Sequence, residues 1–204
     1  MNKPSQYQTI AAKESALFTD KGSKFLAYTF PIETTADFKR HLDEIKKEHP
    51  KATHHCFAYR LGQNKDQFRA NDDGEPSGTA GRPILGQIDS LGLTNVLIIV
   101  VRYFGGTLLG VPGLINAYKS AAAAVLERSA VLDKKITIGY RIECDYTSLN
   151  EVIHLLKQEK VNIIEKNIGL YCDMVALLPV ERKEPLIKKL GELPRCTATE
   201  IKDQ

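Results

Sequence analysis

No stretch of this sequence is apolar enough to cross a bilayer: its most hydrophobic run, residues 96–101, falls far short of the roughly 20 residues a spanning helix needs. Cysteine is scarce. Cys56, Cys144, Cys172 and Cys196 lie far apart and form no Cys-x-x-Cys pair, which argues for reduced thiols and against a structural zinc site. The opening residues lack the charged start and apolar centre of an export signal, so a cytoplasmic location is expected. Also missing are the phosphate-binding Gly-Lys-Ser/Thr turn, Gly-x-Gly-x-x-Gly, Gly-x-Ser-x-Gly and His-Glu-x-x-His. The familiar nucleotide-binding, serine-hydrolase and zinc-protease signatures therefore have no representative here. Repeats and low-complexity tracts are absent too, which excludes rods and disordered linkers.

What is present suits a globular chain of one large domain, or a medium one with a small one: 204 residues, 43% hydrophobic and 26% charged. The net charge of +3 is unevenly shared. Residues 1–135 hold 18 basic and 14 acidic side chains, the rest 10 and 11, so a mild cationic excess sits in the first part. That excess fits a surface touching phosphates without requiring one.

Two extended segments, about 6–18 and 24–32, flank an Asp-Lys-Gly turn signal and read as a hairpin. Thr34 or Thr35 caps a helix whose apolar positions Phe38, Leu42 and Ile45 recur at helical spacing until Pro50. Residues 54–61 read as a strand, 62–81 as a long aperiodic loop, 83–91 as a short helix and 95–104 as a strand apolar on both faces. A glycine-rich turn over 105–113 leads into an alanine-rich helix over 114–130, and a basic turn at 133–135 closes the first part. From residue 136 onward the pattern β-α-β-β-α-β is that of a split βαβ or ferredoxin-like unit. The chain thus divides into domains 1–134 and 135–204.

Two segments concentrate candidate chemistry. Residues 72–83 carry Asp72, Asp73 and Glu75 within four positions, which suits either a hard cation or a tight turn. Asp73 or Thr79 would cap the following helix. In residues 101–114 a buried strand runs through Arg102, Tyr103 and Phe104 into Gly105, Gly106 and Gly110 before a helix, an arrangement that can hold an anion on backbone amides. Arg102 reads either as an anion contact or as a partner for the Asp72, Asp73 and Glu75 carboxylates. Tyr103 and Phe104 suit a core as well as a base-stacking platform. His54 and His55 point to opposite faces of a strand, one packed and the other exposed or near the loop. Cys56 reads as a small buried thiol.

These residues resemble a known family. His54-His55-Cys56, the run from Asp72 to Pro83, and Arg102-Tyr103-Phe104-Gly105-Gly106 through Leu109-Gly110 are similar to the motifs of the IMPACT family, whose bacterial members are called YigZ-like. The resemblance implies an α+β protein, with a ribosomal-protein-like α/β sandwich followed by a small ferredoxin-like domain. That pairing is similar to the last two domains of the ribosomal translocase EF-G. It further implies an RNA or ribosome partner and a role in modulating translation, as for the family's eukaryotic regulators, with a protein partner as the alternative. Pro112 and Asn116 stand where the family often has glycine and a basic residue, which weakens an anion cradle at that turn. The binding positions expected are His54, His55, Asp72, Asp73, Glu75, Thr79, Arg102, Tyr103, Gly105, Gly106 and Gly110. No cofactor, metal or membrane is expected, and no catalytic residue is assigned. A metal-assisted hydrolase or phosphotransfer enzyme, with the three carboxylates on a divalent cation, is the rival reading.

Overall fold

The computed structural model describes residues 5–201, which form two compact units: Tyr7–Lys134, and 135–201 with Ser5 and Gln6. The first is built on five antiparallel strands in the order β2-β3-β6-β4-β5. These are β2 (Glu14–Asp20), β3 (Ser23–Pro31), β4 (His54–Leu61), β5 (Gln67–Asn71) and β6 (Val96–Tyr103). The central strand β6 carries an apolar side chain at every position from Val96 to Val101, each with no exposed surface. Such a strand needs cover on both faces. Val96, Ile98 and Val100 pack with α2 (Gly81–Ser90) and α3 (Gly110–Arg128), whereas Leu97, Ile99 and Val101 pack with α1 (Thr35–Glu48).

Local chemistry fixes where α1 starts. Thr34 Oγ1 accepts the Asp37 N–H at 3.1 Å and the Asp37 carboxylate accepts the Thr34 N–H at 3.0 Å, a reciprocal cap that makes Thr34, not Thr35, the boundary. Phe38 and Ile45 are buried on the sheet side, and Lys46 and Lys47 sit at the negative end of the helix dipole.

Three elements depart from the sequence reading. The first extended segment is two strands, β1 (Gln6–Ile10) and β2, and only β2 joins the hairpin with β3; β1 pairs instead with β7 (Val131–Lys135). That second partner is the stretch read as a basic turn. The loop 62–81 contains β5, which pairs with β4 from Leu61↔Gln67 to Phe57↔Asn71. Helix α3 begins at Gly110, four residues before its expected start, with Pro112 in its first turn, where a missing N–H costs nothing.

The second unit runs β8 (Thr137–Asp145), α4 (Leu149–Gln158), β9 (Asn162–Asn167), β10 (Tyr171–Pro179), α5 (Lys183–Gly191) and β11 (Thr197–Glu200). Its antiparallel sheet has the order β11-β8-β10-β9. Val152 and Leu156 of α4 and Leu186 and Leu190 of α5 cover one face, packed with Ile142, Met174 and the thiols Cys144, Cys172 and Cys196. All four cysteines of the chain are free and buried. Among the described residues no helix is long and apolar enough to cross a membrane.

Candidate functional site

Pairing of β4 with β6 sets His54 opposite Arg102 and Cys56 opposite Val100. Against the start of β4 lies the loop between β5 and α2. It opens with a reversal in which the Glu75 N–H donates to the Asp72 carbonyl at 2.9 Å. Both central residues are left-handed, Asp73 at φ 44° and Gly74 at φ 89°, so the Asp-Gly pair acts as the turn its residue types favour.

The three carboxylates of this loop are divided among separate tasks. Asp72 accepts the backbone N–H groups of Gly78, Ala80 and Gly81 at 2.8–2.9 Å and so supplies the negative charge at the start of α2. The N-cap residue is Ala80, neither Asp73 nor Thr79, and the remote Asp72 carboxylate does the capping; the Thr79 hydroxyl donates instead to the Pro76 carbonyl at 2.7 Å. Asp73 accepts the His55 N–H at 2.6 Å, and its own carbonyl accepts Nδ1–H of His54 at 2.7 Å. Glu75 points inward, with 3% of its side chain exposed. Its Oε1 accepts from Arg102 Nη1 at 2.6 Å and from the Tyr118 hydroxyl at 2.8 Å. His54 Nε2 lies 3.8 Å from the same oxygen, beyond hydrogen-bonding distance.

Cys56 completes the cluster. Its Sγ lies 3.0 Å from the Asp72 carbonyl and 3.3 Å from the Tyr118 hydroxyl. Burial pushes the Cys56 thiol far above its ordinary value, with the neighbouring Glu75 and Asp73 adding to the effect; its hydrogen bond with Tyr118 only partly opposes it. The thiolate needed for nucleophilic attack is thus suppressed. Tyr118 is raised as well, by burial first and then by Cys56 and Glu75. His55 is held below its ordinary value by burial, although its ring donates to the His49 carbonyl at 3.1 Å. Both histidines are half-buried, His54 held near the loop by the Asp73 carbonyl and His55 by the His49 carbonyl.

His54, His55, Asp72, Asp73, Glu75, Thr79 and Arg102 thus belong to one cluster. Tyr103 does not: its hydroxyl meets His49 Nδ1 at 3.0 Å on the α1 face. Gly105 lies against the β2–β3 turn, its N–H donating to Ser23 Oγ at 3.1 Å, and Gly106 and Gly110 are exposed on the way into α3. Sequence reasoning missed Tyr118. Its only signal is a phenol among the small residues of the α3 face that includes Ala117, Ala121 and Ala122.

Asp72 gives a first measurable consequence. Burial raises its carboxyl and is the largest single influence, yet the three amides together outweigh it and hold the group below its ordinary value. A depressed folded value means stability that is present above the unfolded pKa of about 4 and is lost as pH falls through the folded value. Asp72→Ala should cost about 2 kcal/mol near neutrality. Thermal melts of both proteins should converge as the pH is lowered below about 4.

Residues 21–126 match the Impact N-terminal domain, just over half of the chain. The IMPACT family member YigZ of Escherichia coli is 34% identical over 180 residues, spanning 86% of this chain and 87% of that one. The chain belongs to the IMPACT family. YvyE of Bacillus subtilis, of the same family, is 35% identical over 156 residues, 76% of this chain and 71% of YvyE. Protein IMPACT of rabbit is 33% identical over 114 residues, 53% of this chain and 35% of the rabbit protein. A crystal structure described as that of a hypothetical protein superposes with a TM-score of 0.79 at 28% identity, covering 99% of this chain and all of the other. The match to the Impact N-terminal domain spans the cluster of His54, Asp72, Glu75, Arg102 and Tyr118.

Proposed function

We propose that this IMPACT-family chain is a non-catalytic protein that binds RNA or the ribosome and modulates translation from the cytoplasm. The observation that carries the reading is the segment from Phe104 to Gly110. Phe104 is 47% and Leu108 83% exposed, with Gly105, Gly106 and Thr107 exposed around them. This segment runs into the start of a 19-residue helix that has no side-chain cap and no acidic residue in its first turn. Exposed Lys21 and Lys24 flank it, the first beside Gly22, against which Gly105 rests, the second opposite Tyr103 on the ladder. An aromatic platform beside amides and cations suits a nucleic-acid backbone with an unstacked base. Family membership supports the translational role. Binding governed by phosphate neutralisation falls steeply with salt, so a filter or shift assay with ribosomes and structured RNA from about 50 to 200 mM salt should lose at least tenfold in affinity. No association at the low end would sink the proposal.

For the domain architecture we propose the boundary at residues 134 and 135, a ribosomal-protein-like sandwich and a ferredoxin-like unit. The sheet order β11-β8-β10-β9 around two helices on one face supports the latter. The metal-assisted reading finds little support, because Asp72, Asp73 and Glu75 are each committed to a different protein partner. The adaptor reading has one observation in its favour: Tyr146, Ile168, Leu170 and Tyr171 are 65%, 56%, 91% and 82% exposed in the second unit. Tyr171 stands opposite Asp145, beside Tyr146, so the two tyrosines mark one end of that sheet. A protein partner held there would survive nuclease treatment on gentle co-purification.

A further inference from the structure

Among the described residues of the first unit, Arg102 holds the one buried side-chain nitrogen that lacks a hydrogen-bond partner. Its side chain is 7% exposed, yet of its five N–H donors the structure pairs one, on Nη1 with Glu75. Nε is fully buried with no hydrogen-bond partner. A buried guanidinium normally has its donors met, and an unmet donor costs about 1–3 kcal/mol, more for a charge. The Nε–Nη2 edge left over is one with which arginine grips two oxygens of a phosphate in parallel.

The guanidinium carbon lies 5.5 Å from the ring centre of Phe25 and 5.6 Å from that of Phe104. These two walls differ. Phe25 has no exposed surface, whereas Phe104 is nearly half exposed. The backbone around them is fixed: Arg102 pairs with Phe25 on one side and His54 on the other, and Gly105 is bonded to Ser23. Of the two rings, only the half-exposed Phe104 has room to turn about its own bonds.

We propose that Arg102 is a phosphate receptor, its free edge screened by Phe104 and opened when that ring turns outward. The inference deepens the nucleic-acid reading above by naming the group recognised; it rests on that reading only for the source of the phosphate. Glu75 keeps its bond to Nη1 throughout, so binding adds contacts without unpairing a buried charge.

The test follows the Arg102 Nε–H resonance of the full chain by ¹⁵N NMR. Inorganic phosphate, a uridine hexanucleotide, and acetate as a carboxylate control are added separately, each against sodium chloride of equal ionic strength. The expected result is a saturable shift with phosphate and with the oligonucleotide at lower concentration than singly charged acetate needs, because the same fork also fits a carboxylate. Arg102→Lys keeps the charge but lacks the fork, and phosphate affinity should fall about tenfold. The remaining amide spectrum reports whether that variant is folded. Phe104→Ala should gain phosphate affinity, as removal of a screen would, and should bind the oligonucleotide more weakly, as loss of a stacking platform would.

No response to phosphate, an equal response to acetate, or loss of the phosphate response in Phe104→Ala would overturn the proposal. RNA binding without movement of the Nε–H resonance would leave the nucleic-acid reading intact and remove this one. A phosphate response in a chain that binds no RNA would do the reverse.

Discussion

Glu75→Ala should remove about 3–5 kcal/mol of folding free energy, a large part of the roughly 5–15 kcal/mol that holds a domain together. Attraction between the ions is only part of the reason. Truncation leaves Arg102 buried with no counter-charge and deprives the Tyr118 hydroxyl of its acceptor. Desolvation of the orphaned guanidinium is the dominant cost. A double variant separates these contributions. Glu75→Met combined with Arg102→Met replaces both ions with apolar chains of similar length and should recover most of the loss, because no buried charge is then unpaired. Urea melts of the two single variants and the double variant measure it. If the double variant is as unstable as the sum of the singles, the two residues do not act as a pair.

Gly105→Ala should be nearly as damaging, at about 3 kcal/mol, for a steric reason. A Cβ on Gly105 would overlap the carbonyl group of Gly22 and the amide nitrogen of Ser23. Both obstacles are backbone, in a tight turn whose strands are locked into the sheet, so neither can swing aside as a side chain would. Gly106 is the control. Nothing lies within 4 Å of a Cβ built there, but its φ of 87° is left-handed. Gly106→Ala should therefore cost only about 1–2 kcal/mol, the price of that conformation for an L-residue. Equal effects at the two positions would show that close approach to Gly22 is not what selects glycine at 105.

Much of the fold is legible in the sequence because its signals are local. The bounds of β4 follow from composition, α1 from its Thr34 cap and the spacing of Phe38, Leu42 and Ile45, and β6 from its uninterrupted apolar run. The missed strands lack such signals. Every residue of β7 is exposed, and β5 has three exposed and two half-buried residues, so neither has the alternation that marks a strand with one buried face. Pairing with a partner strand makes them extended, and pairing is a property of the tertiary structure.

The candidate site was legible in membership more than in arrangement. The motifs around His54, Asp72 and Arg102 lie together in the fold, and among the three carboxylates Arg102 is partnered by Glu75. Local sequence does not show how three neighbouring carboxylates divide their work. Asp72 turns to the amides of Gly78, Ala80 and Gly81, Asp73 to His55, and Glu75 to a strand and a helix that follow it by 27 and 43 residues. Tyr118 was missed for the same reason: its role depends on an oxygen that the chain supplies far upstream.

That shared Oε1 atom has an evolutionary consequence. Because a single acceptor serves a guanidinium and a phenol, with a thiol resting on the latter, positions 56, 75, 102 and 118 constitute one heritable unit spread over four separate elements. A lineage that loses one member inherits an unstable intermediate, so drift at these sites should proceed by coordinated replacement or stall altogether.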